Sequence, residues 1–403
     1  MKYISALSLL FSASTVFGVL PHAYVTDQLD GSVRVIRVAS NTVQTISGFH
    51  NPRVIKVTAD GTLAYVGSDE NTIRIIDTIT NTLMPHIINV NHPVSLAITP
   101  KTMYVASSDN TVTVINTLDY STQAVITGFD HPADIKVRPD GQFVYVTNTA
   151  AGTISVIDPS TNAIVGTITG FKKPVGMTFT VGGEYAYVTD PSHNEMYVVR
   201  LTDNSIVETV LGLTTPSYIA VTPDESYAFI SNTGNDTVSV MRTSDNVVVH
   251  TIPIPDPKSI AITQDGQFLY VGSGFGEVFK VRILDYSIET AIPNFKNPSN
   301  ITLTTNNAPA DTVNGCQEFS SSDVTNHITW HAAGGTPIGY KIYRDLDLTK
   351  LVASLPPTTF SYDDSMLEAG QTYIYYMLAE YADGFSTTIG SVEITPTRIC
   401  QDL

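Results

Sequence analysis

A short unit, an aromatic residue followed by a β-branched one, restarts seven times along the chain. It reads AYVTD at its first occurrence and YVGS at its last. Successive aromatic residues are 41, 39, 41, 42, 42 and 41 positions apart, a step too regular for unrelated strands and loops. The spacing predicts a tandem repeat of four short strands. The aromatic positions, called the anchors below, are Tyr24, Tyr65, Tyr104, Tyr145, Tyr187, Phe229 and Tyr270.

Each repeat carries signals for four strands. After the anchor strand comes an alternating run such as Thr153 to Asp158, and its period of two indicates a half-buried strand. An asparagine such as Asn162 then marks a turn, because asparagine tolerates left-handed backbone angles. A proline begins the fourth strand, where no ladder donor is needed. These prolines are Pro52, Pro93, Pro132, Pro174, Pro216, Pro257 and Pro298.

Seven such sheets are most stable when stacked radially. Each sheet then covers the faces of its neighbours, and no long strand edge stays open. The sequence therefore predicts an all-β chain containing a seven-bladed β-propeller over residues 19–307. The last proline-led strand has no blade of its own. We expect residues 300–304 to join the three strands of residues 22–47 as their innermost strand, which closes the ring.

The complete unit resembles the YVTN family of β-propeller repeats. The matching segments are residues 145–148 (YVTN), 153–158 and 162–168, with Pro174 and the Asp140-Gly141 hairpin signal. The resemblance covers about residues 20–307. It implies a seven-bladed propeller of the exported or surface-layer type, acting in surface organisation, adhesion or ligand binding. The resemblance supplies no shared set of catalytic residues.

The two ends of the chain predict further segments. Residues 1–18 read as a signal peptide, because the uncharged run of residues 4–17 is shorter than the roughly 20 residues that span a bilayer. We therefore expect a secreted, periplasmic or cell-surface protein with no membrane span. A linker is predicted at residues 308–315 and a second domain at residues 316–403.

The second domain reads as a small β-sandwich, because short strand patterns and glycine turns fill fewer than 90 residues. Residues 367–375 resemble the tyrosine-corner segment of fibronectin type III domains, and Trp330 stands where that family buries a tryptophan. Cys316 and Cys400 lie near its two ends, and export favours a disulfide between them. By the loop-entropy model, such a crosslink would stabilise the folded state by about 4 kcal/mol.

The charge restricts the partners. A net charge of −17, from 38 acidic and 21 basic residues, disfavours nucleic acid, whose phosphates are bound by lysine and arginine. The acidic loops most simply keep the protein in solution, although calcium binding by their carboxylates stays open.

Candidate site residues come from the loops and the proline-led strands. His50, His92 and His131 are expected at equivalent places just before the prolines of three consecutive repeats, where they could bind a transition metal or be ordinary loop residues. Asp134, Asp256 and Asn300 are the nearest candidates for hydrolytic chemistry at the channel mouth. No GxSxG or HExxH motif is present, so neither a catalytic residue nor a metal ligand is assigned.

The sequence thus favours an exported, non-enzymatic binding, adhesion or surface-display protein. It predicts no cofactor, a monomer, and a protein or carbohydrate partner at the cell surface. The alternative is a propeller hydrolase of the lactonase-like type, or a metal-dependent enzyme, with its site at the mouth of the central channel.

Overall fold

The structure is a computed structural model. It describes residues 22–304 except 79, and then the segments 313–319, 324–330, 338–344, 351–359, 361–367, 373–380 and 386–394. The predicted signal peptide at residues 1–18 and Cys400 lie outside the described residues, so the disulfide stays a prediction. Within the described residues every regular element is a strand.

Seven four-stranded antiparallel sheets form the blades. Blade 1 contains β1 (His22–Asp27), β2 (Ser32–Arg37) and β3 (Val43–Ser47). Blade 2 contains β4 (Pro52–Val57), β5 (Leu63–Ser68), β6 (Thr72–Asp77) and β7 (Thr82–Asn89). Blade 3 contains β8 (Pro93–Ile98), β9 (Thr102–Ser107), β10 (Thr111–Asn116) and β11 (Thr122–Thr127). Blade 4 contains β12 (Pro132–Val137), β13 (Val144–Asn148), β14 (Thr153–Asp158) and β15 (Ala163–Ile168).

The remaining blades follow the same order. Blade 5 contains β16 (Met177–Phe179), β17 (Tyr185–Asp190), β18 (Glu195–Arg200) and β19 (Ser205–Val210). Blade 6 contains β20 (Pro216–Val221), β21 (Tyr227–Asn232), β22 (Thr237–Arg242) and β23 (Val247–Pro253). Blade 7 contains β24 (Pro257–Ile262), β25 (Phe268–Ser273), β26 (Glu277–Arg282) and β27 (Ile288–Ile292). The last propeller strand, β28 (Pro298–Leu303), completes blade 1.

The ring is closed by β28. This strand pairs antiparallel with β1, so that Tyr24 faces Thr302 and Val25 faces Ile301. The inner strands, β28, β4, β8, β12, β16, β20 and β24, neighbour one another in that order, and β24 neighbours β28 again. The predicted seven-bladed propeller and its closure by a C-terminal innermost strand are therefore confirmed.

The hydrophobic core is divided among the interfaces between blades. Seven apolar clusters occur in the propeller, each built from two adjacent blades. Each cluster contains one of the seven anchors, and every anchor is at most 3% exposed. The step of about 41 residues therefore reflects the one large aromatic side chain that each blade interface buries.

Tyr24, Tyr145 and Tyr187 also link their blades to the next by a hydrogen bond to a turn asparagine. The Tyr145 hydroxyl donates to Asn204 Oδ1 at 3.3 Å, and the Tyr187 hydroxyl donates to Asn246 Oδ1 at 3.2 Å. Both asparagines are turn residues of the following blade, with φ of 55° and 53°. The turn asparagine therefore serves two purposes, because it adopts the left-handed backbone and accepts a hydrogen bond from the anchor hydroxyl.

The last residue of the anchor strand holds the loop that precedes the inner strand of the same blade. In blade 4, buried Asn148 accepts the backbone N–H of Asp130 at 3.3 Å. In blade 5, fully buried Asp190 accepts the N–H groups of Lys172 and Lys173 at 2.7 and 2.8 Å. The final N or D of the repeated unit is thus a structural residue that satisfies otherwise unpaired backbone donors.

The described residues of the C-terminal region form seven further strands in two sheets. They are β29 (Val313–Phe319), β30 (Val324–Trp330), β31 (Gly339–Tyr343), β32 (Leu351–Leu355), β33 (Ser361–Leu367), β34 (Tyr373–Glu380) and β35 (Ser386–Ile394). One sheet has the order β29-β30-β33 and the other β32-β31-β34-β35. Strand β29 begins inside the segment that the sequence predicts to be a linker. Buried Tyr375 donates its hydroxyl to Asp364 Oδ2 at 2.7 Å.

Candidate functional site

The seven inner strands enclose a central channel with a cavity of about 380 Å³. Counting the strand's proline position as one, the third and fifth residues supply most of its polar lining. The third positions are Val54, Ser95, Asp134, Gly176, Tyr218, Ser259 and Asn300, and the fifth positions are Lys56, Ala97, Lys136, Thr178, Ala220, Ala261 and Thr302. The channel is therefore built from two layers of side chains.

Asp134 lines this channel, but its carboxylate is already saturated with donors. Oδ1 accepts bonds from Ser95 Oγ at 2.8 Å and from Lys136 Nζ at 2.6 Å. Oδ2 accepts the backbone N–H of Met177 at 3.0 Å. A carboxylate with these contacts is poorly placed to act as a general base, because its lone pairs point at groups that hold the ring together.

Asn300 has the same kind of contact. Its Oδ1 accepts the N–H of Ile55 at 3.2 Å, and Ser95 Oγ accepts the N–H of Ile135 at 3.3 Å. An inner strand has one edge without a partner strand, so its inward N–H groups need other acceptors. Side chains at the third position of one blade satisfy the next blade, which gives Asn300 and Asp134 a structural reason to be polar.

Among the described residues of the channel lining, Lys56 is the charged side chain without an ion-pair partner. Within the described residues it forms no ion pair, and water reaches its side chain. The surrounding protein still desolvates it and lowers its pKa to about 8, the Lys136 charge acts in the same direction, and Asp134 opposes both. Lys56 is thus an ammonium group held in a confined, mostly uncharged space.

Tyr218 provides a hydroxyl in the same channel. Its side chain is 38% exposed there, and desolvation together with the Asp134 charge raises the pKa of Tyr218 to about 12. The hydroxyl therefore stays protonated near neutral pH and remains able to donate a hydrogen bond.

The three histidines do not line the channel. His50, His92 and His131 are exposed on the loops before the inner strands. The expected equivalence is wrong for His50, because Asn51 holds the left-handed position before the proline, with φ of 50°, as His92 and His131 do with 40° and 52°. The first repeat places one more residue after its histidine.

Backbone hydrogen bonds hold these loops, and the His131 ring also contacts the Asp130 carboxylate at 2.9 Å. The N–H of His131 donates to Asn110 Oδ1 at 2.8 Å, and the N–H of Asp256 donates to Asp236 Oδ1 at the same distance. The Asp256 carboxylate pairs with Lys258 at 2.8 Å. Among the described residues, no group of three or more His, Cys, Asp or Glu side chains is arranged to hold a metal.

A second concavity lies between blades 6 and 7, on the face that carries the hairpins following the inner strands. We call it the tyrosine groove. Its volume is about 640 Å³. Its apolar lining comprises Pro223, Tyr227, Phe268, Ile283, Leu284 and Tyr286, with Asp224, Asp265 and Arg282 among its polar residues.

Part of this groove belongs to a surface motif that occurs twice. Residues 118–121 and 284–287 have the same sequence, LDYS, at the same turn of blades 3 and 7. Their leucines are 76% and 89% exposed. Their tyrosines adopt φ of 60° and 59°, at the position that holds asparagine in the other five blades. Left-handed geometry is costly for a bulky residue, so such a substitution calls for a compensating contact or a function.

Each of these tyrosines packs against a histidine of the preceding blade, tilted in the first pair and stacked in the second. The ring centroids of His86 and Tyr120 are 4.5 Å apart, and those of His250 and Tyr286 are 4.8 Å apart. Tyr286 also packs against the Phe229 anchor, which has no hydroxyl to give to an asparagine. The aromatic contact therefore replaces the usual hydrogen bond and accounts for part of the substitution.

Lys56, Lys136, Tyr218 and the tyrosine groove were not anticipated from the sequence. A signal for them was present. When the inner strands are aligned on their prolines, the fifth position is lysine in two repeats and alanine or threonine in the other five. When the turns are aligned, the sequence LDYS occurs in two of them.

The fold and the channel define a closed, seven-bladed β-propeller with a polar central cavity. The chain belongs to the YNCE-like beta-propeller family, whose profile matches residues 73–292. No curated protein matches the chain significantly in sequence. The structure contains, in the part of the chain that it describes, no helix of the length and apolarity needed to traverse a bilayer.

Solved structures share the fold. A protein of unknown function from Desulfotomaculum acetoxidans is 16% identical, with a TM-score of 0.63 over 70% of this chain and 99% of its own. A candidate 6-phosphogluconolactonase from Bacteroides fragilis is 17% identical, with a TM-score of 0.60 over 73% and 99%. Hydrazine synthase from Kuenenia stuttgartiensis is 19% identical, with a TM-score of 0.56 over 62% and 88%. At these identities the likeness shows the fold alone.

Proposed function

We propose that the protein is an exported, non-enzymatic recognition protein that binds a protein or carbohydrate partner at the cell surface through the tyrosine groove. The observation that carries this proposal is an aromatic concavity of about 640 Å³ bordered by Leu284, which is 89% exposed. Tyrosine offers stacking area together with a polar hydroxyl and is enriched where proteins bind partners.

The channel supports the non-enzymatic part of the proposal. Asp134 and Asn300, two of the three hydrolytic candidates of the sequence, both accept backbone N–H groups of the neighbouring blade. The lactonase-like alternative draws on the fold likeness to the Bacteroides fragilis protein, and a fold does not determine an activity. Turnover of a simple lactone that is abolished by Asp134→Asn would favour that alternative.

The C-terminal strands complete the proposal. Residues 316–403 would be a fibronectin type III-like module that displays the propeller or binds a partner itself. Two sheets of three and four strands and the buried Tyr375 support this assignment. Export, the disulfide between Cys316 and Cys400, and the monomeric state belong to the same proposal. Labelling of both thiols in the unfolded, unreduced protein would contradict the disulfide.

The test is capture of a partner from the surface fraction of the producing cells, with a glycan array as a second arm. Tyr286→Asn gives blade 7 the turn residue of five other blades, and we expect it to lose the partner while keeping the fold. Val165→Asn is the control, because Val165 is 56% exposed on blade 4, away from the groove. Equal capture by both variants and the wild type would refute the groove.

A further inference from the structure

The central channel contains a positive charge that no described residue neutralises by an ion pair. Its charged lining residues are Lys56, Asp134 and Lys136. Lys136 and Asp134 form an ion pair at 2.6 Å, so their charges cancel. Lys56 is left with no ion-pair partner among the described residues, in a protein whose overall charge is −17.

The surroundings of Lys56 are suited to a ligand with both charge and hydroxyl groups. Tyr218, Thr178 and Thr302 add hydroxyls to the channel lining, and Val54 and Ile219 add apolar surface. A cavity of about 380 Å³ lies in the size range of small-molecule sites and corresponds to roughly a dozen water volumes. One small organic molecule would fill it.

We propose that the channel binds a small oxyanion, a carboxylate or phosphate about as large as a monosaccharide, with Lys56 as its ion-pair partner and Tyr218 as a hydroxyl donor. The Asp134–Lys136 pair keeps the second lysine fixed, so that it contributes a wall of the site without drawing the anion to itself. The site is independent of the tyrosine groove and extends beyond the proposed partner recognition.

The position of Lys56 in the repeat supports this assignment. Five of the seven fifth positions hold alanine or threonine, so the propeller does not require a lysine there for packing. Lys136, the other exception, has Asp134 two residues before it, whereas Lys56 has Val54. Blade 2 therefore carries the cation without the internal counter-ion that blade 4 supplies.

Protonation of Lys56 should control the site. Desolvation lowers its pKa to about 8, and a bound anion would raise it. Affinity should therefore fall as the pH rises through about 8. The other titratable groups of the lining are Lys136 and Asp134, which are paired, and Tyr218, which stays neutral up to about 12.

The first experiment measures competitive acetylation of each lysine in the full-length protein by mass spectrometry. Glucuronate and inorganic phosphate are the two anionic probes, and glucose is the neutral match for glucuronate. We expect one or both anions to slow acetylation of Lys56 by about tenfold relative to glucose. Exposed Lys101 should react equally in all three solutions. Equal reaction of Lys56 in the three solutions would overturn the proposal.

The second experiment is calorimetry with the protecting anion. Lys56→Met should lose about tenfold or more in affinity with an unchanged circular dichroism spectrum, Lys56→Arg should retain most of it, and Lys101→Met should behave as wild type. Undiminished binding by Lys56→Met would show that the anion binds elsewhere and would also refute the site. Loss of the macromolecular partner alone would count against the groove and leave this result unaffected.

Discussion

Replacing Ile301 by alanine tests how the ring is held closed. Ile301 lies in β28, near the end of the propeller sequence, yet it is only 7% exposed and packs with residues of blades 1 and 7. The substitution removes about three methylene equivalents at about 0.8 kcal/mol each, and the cavity left behind adds to the loss. We expect the free energy of unfolding to fall by about 3 kcal/mol.

The matched control is Ile288→Ala. Ile288 has the same side chain but lies 41% exposed on β27, at the outer edge of blade 7. Its replacement should cost less than about 1 kcal/mol. Urea unfolding followed by near-ultraviolet circular dichroism is suitable, because six of the seven buried anchors are tyrosines. For a ring of this size, about 3 kcal/mol corresponds to a fall in melting temperature of roughly 4 to 8 °C.

The outcome separates two views of residues 298–303. If β28 belongs to the ring, Ile301→Ala shifts the single transition of the whole propeller and Ile288→Ala hardly does. If the two variants unfold alike, β28 is not packed in the core, and the reasoning from blade-to-blade packing is wrong.

Three further predictions address the polar contacts. Asp190→Ala should cost about 2 to 3 kcal/mol in urea unfolding, because two backbone N–H groups lose their acceptor, whereas Asp190→Asn should cost less than half of that; equal costs would refute the acceptor role. Asp134→Ala should lower the free energy of unfolding by about 1 to 3 kcal/mol, because Met177 N–H and Lys136 lose their partner; unchanged unfolding would contradict it. Burial raises the pKa of Tyr187 to about 12 from an unfolded value of about 10. The neutral hydroxyl therefore contributes fully to the free energy of unfolding below pH 10, and this contribution is lost as the pH rises towards 12. Tyrosinate absorbance should appear together with unfolding, and ionisation of buried anchors in a folded ring would refute this.

The architecture could be predicted because the spacing and the number of the repeats determine it. One anchor per blade interface gives a constant step, and the surplus strand at Pro298 requires closure with the first blade. Both features follow from burial, which acts on every copy in the same way. The final residue of the YVTN unit was visible as a pattern, but its purpose appeared only when Asn148 was seen to hold the loop beside it.

The candidate site was harder to predict from the sequence than the fold, for physical reasons. Asp134 and Asn300 line the channel, but sequence cannot show that donors from neighbouring strands already occupy their oxygens. The histidines were misleading because one residue of displacement changes which side chain holds the left-handed position. Lys56 could not be recognised as a site residue from the sequence, because lysine is common in exposed strands and only the closed ring places it in a confined channel.

Amide hydrogen exchange of residues 296–304 in the full-length protein tests the central claim most directly. If β28 closes the ring beside β1, amides on both strands exchange slowly and become exposed together in one cooperative opening. If residues 298–303 exchange rapidly while residues 22–27 stay protected, the ring is not closed by this strand and the account fails.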